Sequence, residues 1–239
     1  MTFPGNLTRW EKISDNSCVI CGEAVGTAKH ILAGCRVLLD RGFYSRRHDS
    51  VLEIIREAVS LSVARAKKGL TTNTKQRIAF VKEATRTKNT KAKPHSILGR
   101  SDDWTILMDT YEKHYKFPEV LGVSASRPDI ILYSSKLKHV VIVELTVPWE
   151  TNIPKNHNYK TNKYFDLTND IIKKGYKTQL YAVEVGARGI PAKSLHHLLK
   201  DLGLSRTAVS SLLGHIPKAA LTGSYKTWIG SRSVSGVLR

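Results

Sequence analysis

Two short runs of apolar, largely β-branched residues lie on either side of a polar turn near the middle of the chain. The runs are DIILYS, residues 129–134, and HVVIVELTV, residues 139–147. Runs of this length and composition are typical of β-strands, and the short connection between them favours an antiparallel hairpin. The sequence therefore predicts a hairpin around which the rest of this half of the chain has to pack.

Two carboxylates interrupt this otherwise apolar hairpin. Asp129 opens the first strand, and Glu144 lies within the second strand between apolar neighbours. If the turn is centred between Lys136 and Leu137, the two acidic residues face each other on one side of the hairpin. Directly opposed Cβ atoms are about 4.5–5.5 Å apart, so the two charges repel unless a cation lies between them.

A divalent cation such as Mg²⁺ suits this pair, because Mg²⁺ takes oxygen ligands and retains water molecules for chemistry. The hairpin therefore predicts a magnesium site at Asp129 and Glu144. The alternative is an Asp at a strand entrance and an exposed Glu on an edge strand. Glu150, just after the second strand, is a further candidate for metal binding or support, with an ordinary loop charge as its alternative. Glu184, on a third predicted strand, is expected to be structural.

The segment after the hairpin predicts a helix with an unusual basic residue. Residues 156–175 place Tyr164, Leu167 and Ile171 on one apolar stripe, with Lys160 in the middle of the stripe and Lys163 at its edge. A lysine in this position either extends past the core to solvent or reaches the carboxylates. Hydrolysis of a phosphodiester requires such a cation to hold the attacking water or the charged transition state. Both lysines remain catalytic candidates.

All three cysteines of the chain lie close together near its N-terminus. Cys18, Cys21 and Cys35, with His30 between them, form the pattern Cys-x2-Cys-x8-His-x4-Cys. Zinc binds four such ligands in a tetrahedron, and a two-residue spacer lets a tight turn present two thiolates to one ion. The pattern predicts structural zinc, against the alternative of three reduced core cysteines. A closed site with four protein ligands predicts a role in folding or nucleic-acid docking.

The charge of the chain is strongly basic. Lys and Arg number 38 and Asp and Glu 20, which gives a net charge of +18. A polyanionic partner is expected, with DNA first and RNA as the alternative, because neutralised phosphates release counterions. A membrane partner is not expected, since no basic amphipathic helix or long apolar stretch stands out. The N-terminus also lacks an apolar signal-peptide core, so an intracellular location is expected, and a nuclear one if the partner is DNA.

A helix is predicted after the cysteine cluster. Ser50 and Glu53 have the spacing of a capping box, and the apolar residues that follow predict a helix over 50–67 that ends before Gly69. Basic residues precede this helix, where they either contact phosphate or stand beside a helix cap. Basic residues also dominate the segment 65–93, which either follows a phosphate backbone or is a solvated run of charge. The predicted nucleic-acid-binding residues are Arg46, Arg47, His48, Lys67, Lys68, Lys75 and Arg77.

The remaining elements complete a predicted α/β order. Helices are expected over 101–117 and 191–203, a strand over 178–186, and a last helical region with a break at 214–217. The fold class is thus α/β, with a small central mixed sheet flanked by helices. The expected domains are a zinc module with its helix (1–69), a basic linker (70–100) and a sheet domain (101–239).

These motifs together resemble the C-terminal part of reverse transcriptases from non-long-terminal-repeat retrotransposons that carry a restriction-like endonuclease. The cysteine cluster resembles that family's zinc knuckle, and RRHDSVL resembles its basic-His-Asp motif. The segments RPDIIL, VELTVPWE, YKTNKY and VEVGARG resemble its nuclease core. The resemblance extends over nearly the whole chain, but Phe43 and Arg46 stand where the family usually has Arg and Trp.

The resemblance implies a restriction-endonuclease-like core of the PD-(D/E)xK superfamily. Asp129 and Glu144 would bind the catalytic metal. Thr146 stands where the superfamily usually has its lysine, which in this family comes from the next helix, here Lys160 or Lys163. The implied function is a Mg²⁺-dependent DNA endonuclease, and the rival is an inactive, zinc-stabilised nucleic-acid-binding protein. No polymerase motif occurs in the 239 residues, so a nuclease-like remnant, a truncated reading frame or a derived host gene is expected.

Overall fold

A computed structural model of the chain describes residues 3–10, 15–71, 96–99, 101–109, 114–122 and 124–234. Within these ranges the protein is a mixed α/β structure, and its sheet is flanked by helices. This confirms the expected fold class at that level. Most of the predicted basic linker, including Lys75 and Arg77, lies outside the described residues. None of the helices in the described ranges combines the length and apolarity that crossing a bilayer requires.

The sheet has four strands in the order β1-β2-β3-β4. The β1–β2 and β2–β3 pairs are antiparallel, and β3–β4 is parallel. Ile130 pairs with Val143 and Ser134 with His139, which is the register that a turn between Lys136 and Leu137 produces. The predicted hairpin and its register are therefore confirmed. The strands are Thr105–Met108 (β1), Ile130–Ser134 (β2), His139–Thr146 (β3) and Lys177–Glu184 (β4).

Strand β1 replaces the helix predicted over 101–117. Its residues pair with β2 along the edge of the sheet, and these hydrogen bonds override a helical spacing of apolar residues that was only a local signal. The residue before the strand, Trp104, is buried and donates its indole N–H to the carbonyl of Leu98 at 2.6 Å. The prediction of a helix here was wrong.

The helices form three groups around the sheet and the cysteines. Three short helices lie near the cysteines, a long helix follows them, and four helices accompany the sheet; a short 3₁₀ turn at Glu150–Asn152 precedes α5. The helices are Pro4–Arg9 (α1), Ala28–Ala33 (α2), Arg36–Asp40 (α3), Phe43–Thr71 (α4), Ile153–Lys163 (α5), Phe165–Lys173 (α6), Lys193–Asp201 (α7) and Arg206–Val234 (α8).

Helix α4 begins earlier than the sequence predicts. It starts at Phe43, so Ser50 is an interior residue whose hydroxyl donates to the carbonyl of Arg46 at 2.8 Å. The capping box at Ser50 and Glu53 was therefore wrong. The first turns of α4 are held by contacts with distant parts of the chain, which a local capping pattern does not report.

Two further helix boundaries also differ from the prediction. The helix expected over 156–175 is two helices, because the chain bends at Tyr164 between α5 and α6. Conversely, α8 continues through Pro217, so the break predicted at 214–217 was wrong. Proline removes a backbone hydrogen bond and strains a helix interior. Burial of Ile216 and Ala220 in the core holds α8 together across that point.

The sheet carries an apolar cluster on each face. One cluster joins Leu132 and Val143 to α4, α7 and α8, and the other joins Ile131 and Ile142 to Tyr164 and α6. The alternation follows from the two-residue period of a strand. Because α4 packs in the same cluster as the sheet, the long helix that follows the cysteine cluster shares the sheet's core. The predicted domain boundaries remain predictions.

Helices α4 and α8 approach closely at small residues. A Cβ atom on Gly223 would lie 2.6 Å from Cγ of Arg47 and 3.1 Å from its Cα, and one on Gly230 would overlap the ring of Phe43. A side chain at either glycine would push the helices apart. Gly214, in the same helix, has open space around its Cβ position.

Gly223→Ala should therefore destabilise the protein by about 1–3 kcal/mol, the usual cost of overpacking. Gly214→Ala is the matched control and should stabilise it by about 0.5–1 kcal/mol, because alanine favours a helix interior. Urea unfolding of both variants measures these changes. Equal effects of the two substitutions would contradict the close packing of α4 on α8.

Candidate functional site

A cavity of about 390 Å³ opens beside the paired strands β2 and β3. Three separate elements contribute polar side chains to it: the first turns of α4, the hairpin and α5. The chain therefore assembles this cavity from segments that are far apart in sequence. The polar residues that line it include His48, Asp49, Asp129, Glu144, Asn156 and Lys160.

The two hairpin carboxylates lie opposite each other, as predicted. The backbone N–H of Asp129 donates to Oε2 of Glu144 at 3.1 Å, and the backbone N–H of Leu145 donates to Oδ2 of Asp129 at 2.7 Å. Each side chain is thus fixed by the backbone of the other strand. The side chain of Glu144 is 5% exposed and that of Asp129 is 19% exposed, so both acids lie in a partly dehydrated setting.

Helix α5 brings the predicted lysines to Glu144. Nζ of Lys160 is 2.5 Å from Oε1 of Glu144, whereas Nζ of Lys163 is 3.9 Å from the same atom. Lys163 instead donates to the hydroxyl of Tyr164 at 3.0 Å. The sequence left both lysines as candidates, and the structure places Lys160 in direct contact with the carboxylate.

His48 approaches the same site from α4. Its Nε2 is 3.4 Å from Oδ2 of Asp129 and 3.3 Å from the carbonyl oxygen of Leu145, and its Nδ1 is 3.1 Å from Asp49. Burial lowers the pKa of His48, but hydrogen bonds and charge from Asp129 and Asp49 outweigh it and raise the pKa to about 9. His48 is therefore protonated at neutral pH and lies against the hairpin.

Two tyrosines support the segment that precedes Asp129. The hydroxyl of Tyr115 donates to the carbonyl of Pro128 at 2.9 Å, and that of Tyr164 donates to the carbonyl of Arg127 at 3.3 Å. Burial, with a smaller contribution from nearby carboxylates, raises the pKa of both phenols, so both remain donors. Sequence reasoning missed both contacts, and the pattern around Tyr115 offered no signal for its role.

The two acidic candidates after the hairpin, Glu150 and Glu184, make structural pairs. Glu150 accepts the backbone N–H of Arg188 at 2.7 Å and its guanidinium at 2.9 Å, and the structure does not bring it to the hairpin carboxylates. Glu184 is buried and pairs with His157 at 2.9 Å and with Ser194 at 2.6 Å. The structural expectation for Glu184 fits these contacts. The contacts of Glu150 with Arg188 favour the alternative of a loop charge over the candidate role in metal binding or support.

The predicted phosphate contacts separate into two kinds. Arg47 is buried, and its guanidinium donates to the carbonyl of Leu32 at 2.7 Å, to Oγ of Ser224 at 2.9 Å and to the carbonyl of Val147 at 3.1 Å. Arg47 thus connects three parts of the protein interior by hydrogen bonds. The prediction that it contacts phosphate was wrong, because the sequence pattern did not reveal its burial. Arg46, Lys67 and Lys68 are exposed on α4.

The predicted cysteine cluster is assembled around one point. The ligand atoms of Cys18, Cys21, His30 and Cys35 all lie within 4.8 Å of one another, and Sγ of Cys21 is 3.2 Å from Nε2 of His30. Three sulfurs and an imidazole at this spacing suit a metal ion such as zinc. Gly22, with φ of 69°, follows Cys21 and donates its N–H to the carbonyl of Cys18 at 2.8 Å, which closes the turn that carries both thiols.

The environment of the cluster fits metal binding. Burial is the main cause that lowers the pKa of His30, and this favours the neutral imidazole that binds metals. Burial raises the pKa of the Cys35 thiol to about 11, so this thiol needs a nearby cation to ionise. Tyr44 of α4 fixes the ligand-bearing loop by donating to the carbonyl of Ile31 at 2.8 Å and accepting the N–H of Cys35 at 3.0 Å.

No known family model matches the chain, and no curated protein matches it significantly.

The cysteine cluster predicts that the purified protein retains a zinc ion. His30→Ala should lose most of the bound zinc and lower the melting temperature, because the ligand set becomes incomplete. The matched control is His196→Ala, which removes an exposed histidine on α7. Elemental analysis and thermal unfolding measure both effects. Full zinc content in the His30 variant would contradict the assignment of this ligand.

The carboxylate site predicts an unusual titration of His48. NMR should give a pKa of about 9 in the wild-type protein, and Asp129→Asn should lower it, because a neutral amide no longer favours the imidazolium. The stability that His48 adds should be complete below about pH 6.5 and be lost as the pH rises through 9. Asp166→Asn, at an exposed position on α6, is the control and should leave this pKa unchanged.

Proposed function

We propose that this protein is a Mg²⁺-dependent DNA endonuclease that nicks one strand by hydrolysing a phosphodiester bond. The observation that carries the proposal is the contact of Lys160 with one of two opposed carboxylates, Asp129 and Glu144, inside an open cavity. Two acids and a cation on rigid elements are the groups that metal-assisted phosphodiester hydrolysis requires.

The donor atoms of the site fit a hard divalent cation. Asp129 and Glu144 supply carboxylate oxygens, and each oxygen can accept more than one contact. Among the described residues, hydrogen bonds reach Oδ2 of Asp129 and both oxygens of Glu144, which leaves Oδ1 of Asp129 for a ligand. A bound Mg²⁺ would supply an activated water and neutralise charge on the phosphate.

The residues around the acids prepare the site for an anionic substrate. Lys160 lies on one side of Glu144, where its charge can orient the attacking water or stabilise the transition state. His48, protonated at neutral pH, adds a positive charge beside Asp129. The tyrosine contacts to the carbonyls of Arg127 and Pro128 hold Asp129 in place. A phosphate group entering the cavity therefore meets cations from two helices.

The architecture supports a restriction-endonuclease-like core and membership of the PD-(D/E)xK superfamily. The support is a small mixed sheet with its acids on a hairpin and its lysine on the following helix, beside a Cys-Cys-His-Cys cluster. An origin from a retrotransposon reverse transcriptase, with a nuclear DNA substrate, is part of the same proposal.

One observation favours a second function, that of a zinc-stabilised nucleic-acid-binding protein without catalysis. Both oxygens of Glu144 already have protein partners, and His48 and Lys160 provide charges that balance the acid pair. In that case the acids hold the fold together and the net charge of +18 provides the binding. The two functions differ in whether any metal yields a cut product.

The endonuclease proposal predicts nicking of supercoiled plasmid in Mg²⁺ or Mn²⁺. Asp129→Asn should abolish nicking and leave DNA binding intact, whereas the exposed Asp166→Asn should cut like the wild type. Equal cutting by the Asp129 variant would refute the carboxylate assignment. Absence of cutting by the wild type, with a retained gel shift, would favour the binding protein.

The same assay separates the two lysines. Lys160→Ala should reduce nicking by about 100-fold or more, the usual loss when one electrostatic contact to a transition state is removed. Lys163→Ala should have a smaller effect, because its Nζ lies 3.9 Å from Glu144 and bonds to Tyr164. The reverse order would show that Lys163 is the catalytic cation.

A further inference from the structure

A second cavity, of about 650 Å³, lies between the two long helices α4 and α8. Basic side chains from both helices line it, and Asp49 is the one acidic residue in its lining. Asp49 is paired with His48 at 3.1 Å, so its charge is partly neutralised. The polar residues that line this α4–α8 groove include Arg46, Asp49, His215, Lys218, Thr222 and Lys226.

The lining residues of α8 form a single stripe. His215, Lys218, Thr222 and Lys226 are separated by three or four residues, which places them on one face of the helix, and all four are exposed. At about 1.5 Å per residue, Lys218 and Lys226 are about 12 Å apart along the helix axis. That length corresponds to about three or four phosphates of one strand of a duplex, at about 3.4 Å each.

Helix α8 is also unusual in its composition. Arg206–Val234 contains lysine and arginine but no Asp or Glu, and no acidic residue follows Asp201 in the sequence. Exposed lysines on most protein surfaces are interspersed with acids, which limit the local potential. Here the α8 wall of the groove contributes basic charge and no acidic charge, so the groove attracts polyanions.

The groove adjoins the carboxylate cavity. Arg47 and Asp49 line both cavities, because the first turns of α4 contribute to the wall of each. A phosphate chain that lies along the α8 stripe would therefore pass close to the cavity of Asp129 and Glu144. Helix α4, which places His48 on Asp129, also forms one wall of the groove.

We propose that the α4–α8 groove binds the phosphate backbone of the nucleic acid and guides it to the carboxylate cavity. Lys218 and Lys226 are the principal contacts, with Arg46 on the opposite wall. This inference rests on the proposed nuclease function for the identity of its partner. It assigns the contact with substrate to the C-terminal helix, in addition to the basic residues at the start of α4.

The test compares two double variants that remove the same charge from the zinc-loaded protein of 239 residues. Lys218→Ala/Lys226→Ala alters the groove, and Lys193→Ala/Lys200→Ala removes two exposed lysines of α7 that are not among the groove residues. Both are made with Asp129→Asn, so that binding is measured without cutting. Binding to a short DNA duplex, and to an RNA duplex of the same sequence, is measured across a range of salt concentrations. Melting temperatures verify that each variant is folded.

The groove variant should bind at least tenfold more weakly at about 0.1 M salt. The slope of the logarithm of its binding constant against the logarithm of the salt concentration should fall in magnitude by about 1.8, which is about 0.9 for each lost phosphate contact. The α7 variant should bind like the parent protein. Equal losses in both variants, or no loss in either, would overturn the inference. Failure of the parent protein to bind either duplex would also overturn it.

The outcome is separable from that of the proposed function. If binding depends on the groove but the wild type does not nick DNA, the groove proposal stands and the nuclease proposal fails. If nicking depends on Asp129 but the groove variant binds DNA as well as the parent does, the nuclease proposal stands and the groove proposal fails. Groove-dependent binding to RNA alone would keep the backbone contact and exclude DNA as the partner.

Discussion

The buried guanidinium of Arg47 joins the three parts of this structure. It donates to the carbonyl of Leu32 beside the cysteine cluster, to the carbonyl of Val147 just after β3, and to Ser224 of α8. Loss of Arg47 would leave these acceptors without a donor, and each buried unsatisfied group costs about 1–3 kcal/mol. The close approach of Gly223 to Arg47 depends on the same arrangement. Arg47 thus fixes α4 relative to the sheet, the cysteines and α8.

The position of α4 determines the chemistry of the neighbouring residue. With Arg47 fixed in the interior, the next side chain along the helix, His48, lies on Asp129, and Tyr44 holds the ligand-bearing loop of the cysteine cluster. The cluster and the carboxylate cavity are therefore linked through the first turns of one helix. A metal at the cysteines would therefore act on the carboxylate cavity by fixing α4.

The charges in the cavity are poorly explained by stability alone. Burying an acid such as Glu144 next to Lys160 yields little net stability, because desolvation offsets most of the attraction between the charges. Well-packed apolar residues would stabilise the hairpin at least as well. A partly buried set of two acids and two cations that opens into a cavity is instead typical of functional sites. This favours the endonuclease over a purely structural ion-pair cluster.

The sequence predicted the parts that depend on local pattern. Hairpin register follows from the alternation of β2 and β3, so the opposition of Asp129 and Glu144 was predictable, and the helical stripe placed Lys160 on the same side. Edge strand β1 and the early start of α4 were not predictable, because distant pairing overrides their local spacing. The contact of His48 with Asp129 joins residues far apart in sequence, and a single sequence has no signal for it.

Binding of Mn²⁺, followed by electron paramagnetic resonance on the zinc-loaded protein, tests the central claim most directly. A site formed by Asp129 and Glu144 predicts that Mn²⁺ binds at neutral pH, is displaced by Mg²⁺, and is lost in Glu144→Gln while zinc remains at the cysteines. Absence of Mn²⁺ binding, or binding that Glu144→Gln leaves unchanged, would show that the hairpin acids do not form the metal site.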